Sequence, residues 1–155
     1  DGNNVLNSLM TASAKVGLDI RIATPKGYEP KKNMVETAKS AAAKSGSRIE
    51  FFNDPKAAAK DADIIYTDVW VSMGQEKERK LRLKAFKGFQ VNDGLLKKAK
   101  NGCIVIHCLT DHMGHEITDS YGQVILRPGL FHARRRQIHS YLAILTIRRL
   151  GAGGF

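Results

Sequence analysis

The sequence is poor in cysteine and proline and has no long apolar stretch, and each of these shortages excludes a class of protein. Two cysteines among 155 residues cannot form the disulfide framework of a small secreted domain. Four prolines, with 43% hydrophobic and 26% charged residues, are unlike a disordered or low-complexity chain. The longest apolar stretch, 141–147, is far shorter than the ~20 residues that a membrane span requires. The sequence therefore predicts one globular domain with a hydrophobic core.

Cys103 and Cys108 flank the apolar run 104–107. If that run is a strand, ~3.3 Å per residue places the two cysteines about 16 Å apart. A disulfide requires Cα atoms within roughly 7 Å, so we predict two free thiols, as expected in a reducing cytoplasm. No secretory leader pattern opens the chain, which also favours a cytoplasmic location.

Positive charge is concentrated at the end of the chain. The formal net charge is +10, and no acidic residue follows Asp119. Six arginines lie beyond Asp119, which leaves +4 for the first 119 residues. Such an end can bind RNA weakly through counterion release, but no alternation of aromatic and basic residues accompanies it. We expect a solvated basic helix or tail and no specific nucleic-acid binding.

Hydrophobic periodicity predicts alternating strands and helices. This order is typical of an α/β fold with a doubly wound, mainly parallel sheet and helices on both faces. We expect residues 1–150 to form one domain and 151–155 a frayed tail. Strands are predicted over 19–23, 48–52, 63–67, 104–107 and 124–126, and helices over 5–16, between Pro30 and Gly46, after Asp54-Pro55, and over 76–86, 93–100 and 137–150.

Polar residues recur where the predicted parallel strands end, which is where such sheets bind ligands. Asn3 and Asn4 precede the first helix, Asp68 follows a strand, and Cys108 follows another. Each also has a purely structural interpretation: the asparagines as helix caps, Asp68 as a turn residue, and Cys108 as a small buried hydrophobic residue. Three polar clusters at one edge nevertheless predict a ligand site there.

Four segments at this edge resemble the second domain of ornithine carbamoyltransferase. They are Asp-Gly-Asn-Asn-Val at 1–5, Ala-Thr-Pro-Lys-Gly-Tyr-Glu-Pro at 23–30, Thr-Asp-Val-Trp-Val-Ser-Met-Gly-Gln-Glu at 67–76 and His-Cys-Leu at 107–109. The resemblance runs in order to about Asp119, three-quarters of the chain. The Trp-Val-Ser-Met-Gly segment is specific, because the related carbamoyltransferases for aspartate and putrescine differ there.

The resemblance implies transfer of the carbamoyl group of carbamoyl phosphate to the δ-amine of ornithine, which yields citrulline and phosphate. It places this activity in arginine biosynthesis and the urea cycle, and it implies no cofactor and no metal. The chemistry suits the residue types, because the Asp68 carboxylate beside the Cys108 thiol could position the amine and take its proton. By position, the resemblance implies that Asp68 and Cys108 are catalytic and that Leu109 contributes a backbone carbonyl to the carbamoyl group. It also implies that 72–88 is a mobile loop. The residues that it implies contact ornithine are Asn4, Asp68, Ser72, Met73 and Cys108.

The sequence also departs from the family pattern. It lacks the Ser-Thr-Arg-Thr loop that grips carbamoyl phosphate, so we expect no activity from this chain alone. The family follows His-Cys-Leu with a proline in a cis peptide, where this chain has Thr110 and a cis bond costs about 2.5–4 kcal/mol. The arginine that contacts the carbamoyl group falls by spacing at Arg135 or Arg136, among residues unlike those of the family. We expect the arginines of 127–137 to face solvent.

Two alternatives stay open at this stage. The chain can be a non-catalytic amino-acid-binding or interaction domain that kept the fold, or a basic binding module that works through the arginine-rich end. The family is trimeric through contacts that lie largely in its other domain, so the resemblance leaves the oligomeric state of this chain undecided. A metal site drawn from Cys108, His112, His115 and Glu116 is disfavoured, because the spacing matches no standard zinc pattern.

Overall fold

A computed structural model describes residues 1–72, 74–107 and 115–118 and the backbone of the strand at 125–126. Met73, Cys108, Leu109, Thr110 and Arg135 lie outside the described residues. So do the predicted helix 137–150 and the predicted tail 151–155, and these predictions stay untested.

The strands lie where the sequence predicted them, with ends that differ by one residue. A strand begins one residue later than predicted at four of the five positions, since Asp19, Arg48, Asp63 and Val124 precede the paired segment. The strands are β1 (Ile20–Ala23), β2 (Ile49–Phe52), β3 (Ile64–Thr67), β4 (Ile104–His107) and β5 (Ile125–Leu126).

The helices also follow the prediction, with two differences in length. They are α1 (Asn4–Val16), α2 (Lys32–Ser45), α3 (Pro55–Ala59), α4 (Arg79–Ala85) and α5 (Asp93–Leu96). The predicted helix 76–86 begins as a 3₁₀ turn over Glu76–Glu78, and α5 covers only the first half of 93–100. Gly17 ends α1 as predicted, with φ 78° and a hydrogen bond from its N–H to the Ser13 carbonyl.

All pairings between these strands are parallel, as the α/β prediction requires. The strands form a two-stranded sheet, β1-β2, and a three-stranded sheet in the order β3-β4-β5. Ile20 pairs with Ile49 in the first sheet, and Ile64 pairs with Ile104 in the second. The single sheet that the sequence predicted is therefore split into two in this structure. The break lies between β1 and β3, which are the neighbouring edges of the two sheets.

One hydrophobic core joins the two sheets through α1. Met10 of α1 is fully buried and packs in a cluster with Ile20 and Ile22 of β1, Tyr66 of β3 and Ile106 of β4. Because one helix buries side chains of both sheets, it holds their carboxyl ends side by side. The polar segments that follow β1 and β3 therefore meet at one edge.

A second core lies on the other side of the three-stranded sheet. Ile65 and Val105 pack there against Ala59 of α3 and Leu95 of α5. An isolated parallel bridge between Val91 and Ile117 joins the same cluster. Helices thus cover both faces, as predicted for a parallel sheet.

The burial pattern of α4 corrects one detail of the prediction. Leu81 is an apolar residue of the predicted helix 76–86, for which a buried position is expected, yet it is 69% exposed. Its neighbour Arg82 is 4% exposed, although the helix has other basic residues that are exposed. A charged side chain is expected on the solvent face of a helix and an apolar one on the buried face. The burial of Arg82 beside an exposed Leu81 is therefore explained only by the partners of Arg82.

Candidate functional site

Asp68 lies directly after β3 and accepts two hydrogen bonds through its carboxylate. Its Oδ1 accepts from the backbone N–H of Val69 at 2.8 Å, and its Oδ2 accepts from Nδ2 of Asn3 at 2.9 Å. The side chain is half-buried. Two of the three predicted polar clusters, 65 residues apart in the chain, are therefore in direct contact.

The side chain of Asn3 makes hydrogen bonds both to the N-terminal end of α1 and to Asp68. Its Oδ1 accepts a hydrogen bond from the N–H of Leu6 at 2.9 Å and so caps the helix, which confirms the structural interpretation of this residue. Its amide nitrogen is then fixed in the direction of Asp68. Asn4, the predicted ornithine contact, is the first residue of α1 and is exposed, so its role stays a prediction.

Gly2 brings this turn against the segment that follows β1. Its N–H donates to the Tyr28 carbonyl at 2.7 Å. A Cβ at this position would lie 2.4 Å from the Glu29 carbonyl oxygen and 2.5 Å from Cα of Pro30, so only glycine fits. This close approach joins the segments 1–5 and 23–30, both of which were part of the family resemblance.

Ser72 belongs to a turn that is closed by its own hydrogen bonds. Its N–H donates to Oε1 of Gln75 at 3.1 Å, and its carbonyl accepts from the Gln75 N–H at 3.0 Å. The N–H of Gly74 donates to Oε1 of Glu76 at 2.9 Å, and this bond lowers the pKa of the Glu76 carboxyl. Ser72 is half-buried and lies four residues after Asp68 in the chain.

Two pockets open beside these residues, and Asp1 and Asp68 line both. The larger contains about 710 Å³ of space that is continuous with solvent, and the smaller about 350 Å³. The smaller is also lined by Asn3 and Thr24, and the larger by Thr67 and by aromatic side chains. A carboxylate, an amide and hydroxyls beside apolar walls suit a small molecule with a cationic group on an aliphatic chain.

His107 and Glu116 form a buried polar pair that the sequence did not reveal. Nε2 of His107 lies 3.2 Å from Oε1 of Glu116, and the side chains are 6% and 1% exposed. His107 is the last residue of β4 and immediately precedes Cys108 in the chain. The sequence offered Glu116 only as a disfavoured metal ligand, and no local pattern marks its pairing with His107.

The metal alternative is tested only in part. Of its four residues, the structure describes His115 and Glu116 and does not describe Cys108 and His112. Within the described part of the chain, no three His, Cys, Asp or Glu side chains form a group that could hold a metal ion.

Cys103 is half-buried at the start of β4, away from the polar edge. Burial raises the pKa of its thiol to about 11, although a backbone hydrogen bond from Ile65 opposes the shift. At neutral pH the side chain is therefore a protonated thiol with little nucleophilic character.

We expect Cys103 to react with iodoacetamide at pH 8 roughly a hundredfold more slowly than a free thiol with a pKa of about 8.5. The reason is the small fraction of thiolate, so the rate should rise with pH between 7 and 9. The measurement is mass spectrometry of the Cys108→Ser variant, in which Cys103 is the remaining cysteine. The same variant in urea is the control and should react at the rate of a free thiol, whereas equally fast alkylation of the folded chain would contradict the prediction.

The geometry agrees with a known family of proteins. A sequence model described as "Aspartate/ornithine carbamoyltransferase, Asp/Orn binding domain" matches residues 1–127. The chain belongs to this carbamoyltransferase family. The resemblance recognised in the sequence is thereby confirmed.

Curated relatives point to the ornithine branch of the carbamoyltransferases. An ornithine carbamoyltransferase of Caldicellulosiruptor saccharolyticus is 47% identical over 153 residues, which cover 97% of this chain and 49% of that protein. A catabolic ornithine carbamoyltransferase of Thermoplasma acidophilum is 47% identical over 145 residues, covering 94% and 47%. The likeness therefore extends beyond Asp119, where the sequence resemblance ended. The chain spans about half the length of these relatives.

Solved structures of carbamoyltransferases share the fold. The ornithine carbamoyltransferase of Pyrococcus furiosus superposes with a TM-score of 0.72 at 53% identity, covering 77% of this chain and 38% of that one. The anabolic enzyme of Campylobacter jejuni superposes with a TM-score of 0.75 at 37% identity, covering 77% and 39%. The predicted α/β fold of a carbamoyltransferase half is thereby confirmed. Among the helices that the structure describes, none is long and apolar enough to cross a membrane.

Proposed function

We propose that this chain is the ornithine-binding part of an ornithine carbamoyltransferase, with its ornithine site at the carboxyl edge of β3 and β4. The observation that carries the proposal is the hydrogen bond between Asn3 and Asp68, beside pockets that both segments line. The names of the relatives support ornithine as the substrate. The ornithine-binding domain comprises residues 1–150, and 151–155 is its tail.

The reaction transfers a carbamoyl group from carbamoyl phosphate to the δ-amine of ornithine and releases citrulline and phosphate. A protonated amine is not a nucleophile, so the site must hold the ammonium and accept its proton. The half-buried Asp68 carboxylate is suited to attract the ammonium, and the Asn3 amide fixes its orientation. Asn4, Ser72 and Met73 complete the contacts to ornithine.

The remaining roles belong to residues outside the described part of the chain. The family resemblance assigns Cys108 to the reacting amine, and the Leu109 carbonyl and Arg135 to the carbamoyl group. We propose that carbamoyl phosphate binds outside these 155 residues, and we expect the 155-residue chain alone to form no citrulline. The enzyme works in the cytoplasm, and its citrulline serves arginine biosynthesis or the urea cycle.

The proposal is tested by titrating the 155-residue chain with L-ornithine and following amide chemical shifts. Much of the ligand stays in contact with water when the site is half complete, so we expect saturation at about millimolar concentration. The shifts should concentrate in 68–72 and 1–5. Asp68→Asn should weaken binding at least about tenfold, because it removes the charge that pairs with an ammonium group.

Asp61→Asn is the matched control. Asp61 is exposed, it precedes β3 at the opposite end of the strand, and asparagine tolerates its φ of 57°. L-norvaline, which lacks the δ-amine, shows whether Asp68 contacts the δ-ammonium or the α-ammonium. If ornithine leaves the spectrum unchanged at tens of millimolar, roughly ten times the expected constant, the proposal is wrong. If Asp68→Asn binds as tightly as the original chain, Asp68 has no part in the site.

A further inference from the structure

Arg82 is buried at a position where its helix is otherwise charged and exposed. Its side chain is 5% exposed, whereas Arg79, Lys80 and Lys84 of the same helix are exposed. A guanidinium removed from water is costly unless its charge and its N–H groups find partners. The position of Arg82 therefore requires specific contacts.

Those contacts join three separate segments of the chain. Nε of Arg82 donates to the Trp70 carbonyl at 2.5 Å, and Nη2 donates to the carboxylate of Asp1. The guanidinium carbon lies 5.1 Å from the ring centre of Tyr28 and 5.4 Å from that of Phe86, within the range of cation–π contacts. Through these contacts Arg82 joins the segment before α1, the segment after β3 and the segment after β1.

Each segment is part of the candidate ornithine site. Trp70 lies midway between Asp68 and Ser72, so the bond to its carbonyl fixes the backbone that connects these two residues. Asp1 begins the turn that carries Asn3, which donates to Asp68. Arg82 therefore holds both sides of the Asn3–Asp68 contact. It does so through protein partners, because its N–H groups donate to Trp70 and Asp1.

We propose that Arg82 is a positioning residue of the ornithine site, which sets ornithine affinity by holding the segment 70–72 against the turn at 1–3. The inference rests on the proposed function. Its physical basis is preorganisation: if the ordered arrangement is populated only in part, the apparent dissociation constant rises by the inverse of that fraction. Lysine cannot replace arginine fully, because one ammonium does not reproduce the planar fork that reaches the carbonyl and the carboxylate together.

The test compares Arg82→Met, Arg82→Lys and the control Arg79→Met, which removes the same charge from an exposed position of the same helix. We expect Arg82→Met to weaken ornithine binding about tenfold or more and Arg82→Lys to weaken it by an intermediate factor. Arg79→Met should stay within about twofold of the original chain, because an exposed charge contributes little. Ornithine affinity is measured by chemical-shift titration.

Trp70 supplies a second readout that does not depend on ornithine. It is the only tryptophan of the chain, it is 9% exposed, and its ring lies 6.0 Å from that of Phe86. If Arg82 holds this segment, the fluorescence emission of Trp70 shifts to longer wavelength in the Arg82 variants and not in Arg79→Met. Amide shifts of α2 and β2, far from Arg82 in the chain, report whether each variant is folded.

The outcomes separate this inference from the proposed function. Weaker binding and red-shifted emission in a folded Arg82 variant support it, whereas affinity within twofold of the original chain overturns it. If the original chain binds no ornithine, the proposed function fails, and Trp70 emission alone decides whether Arg82 positions the segment. If both Arg82 variants fail to fold and Arg79→Met folds, Arg82 is a general structural residue and the positioning role is overturned.

Discussion

Replacement of Met10 by alanine should reduce the free energy of unfolding by about 2–5 kcal/mol. Met10 has no exposed surface and packs in the cluster that includes Ile20, Tyr66 and Ile106. The substitution removes apolar contacts and leaves a cavity between α1 and both sheets. Because α1 is the element that joins the sheets on this side, we expect the cost to lie toward the upper part of the range. Urea unfolding followed by circular dichroism measures it.

Met10→Leu is the matched control, since it keeps the volume and the apolar character of the side chain. It should cost less than about 1.5 kcal/mol. Val16→Ala is a second control at the end of the same helix, where the side chain is 68% exposed. A loss below about 1 kcal/mol in Met10→Ala would contradict the view that this core joins the two sheets.

Replacement of Glu116 by alanine should destabilise the chain by about 3 kcal/mol. Glu116 is 1% exposed, and its Oε1 lies 3.2 Å from Nε2 of His107. Without the carboxylate, the His107 ring loses a buried partner, and a buried polar group left unpaired carries its full desolvation cost. The backbone at Glu116 also accepts a hydrogen bond from the Val91 N–H, so relaxation at this position is restricted. Thermal or urea unfolding provides the measurement.

Glu116→Gln separates the hydrogen bond from the rest of the effect. Glutamine keeps an acceptor for His107, so we expect it to cost about half as much as alanine or less. Glu36→Ala removes an exposed carboxylate from α2 and should change stability by less than about 0.5 kcal/mol. Equal stability of Glu116→Ala and the original chain would show that His107 does not depend on this pair.

The elements of the fold were predictable because their signals are local. Val5, Leu9 and Ala12 recur at helical spacing and Gly17 follows them, and the structure places α1 over Asn4–Val16. Asp54 and Pro55 predicted a cap and a first helical position, and Asp54 indeed accepts from the Lys56 N–H before α3. Caps and periodicity act within a few residues, so the sequence displays them directly.

The edge of the sheet that carries the site was predictable for a related reason. Parallel strands end on the same side, so Asp68 and the segment before α1 were expected to lie near each other. The structure confirms this for Asn3, but the sequence did not assign the contact to Asn3 in preference to Asn4. That choice depends on the N-terminal geometry of α1, in which the capping residue aims its amide at Asp68 and the next residue is exposed.

The sequence by itself determined the order of helices and strands, the parallel arrangement and the segments that meet at the site, because hydrophobic period, caps and turns are encoded over short distances. Only the tertiary structure decided that Arg82 is buried beside an exposed Leu81, that His107 pairs with Glu116, and that β1 and β3 are edges of two sheets. Burial of a polar side chain depends on partners that lie far away in sequence or across a loop. The contacts from Arg82 to Asp1 and from Asn3 to Asp68 span 81 and 65 residues, distances over which no local pattern carries information.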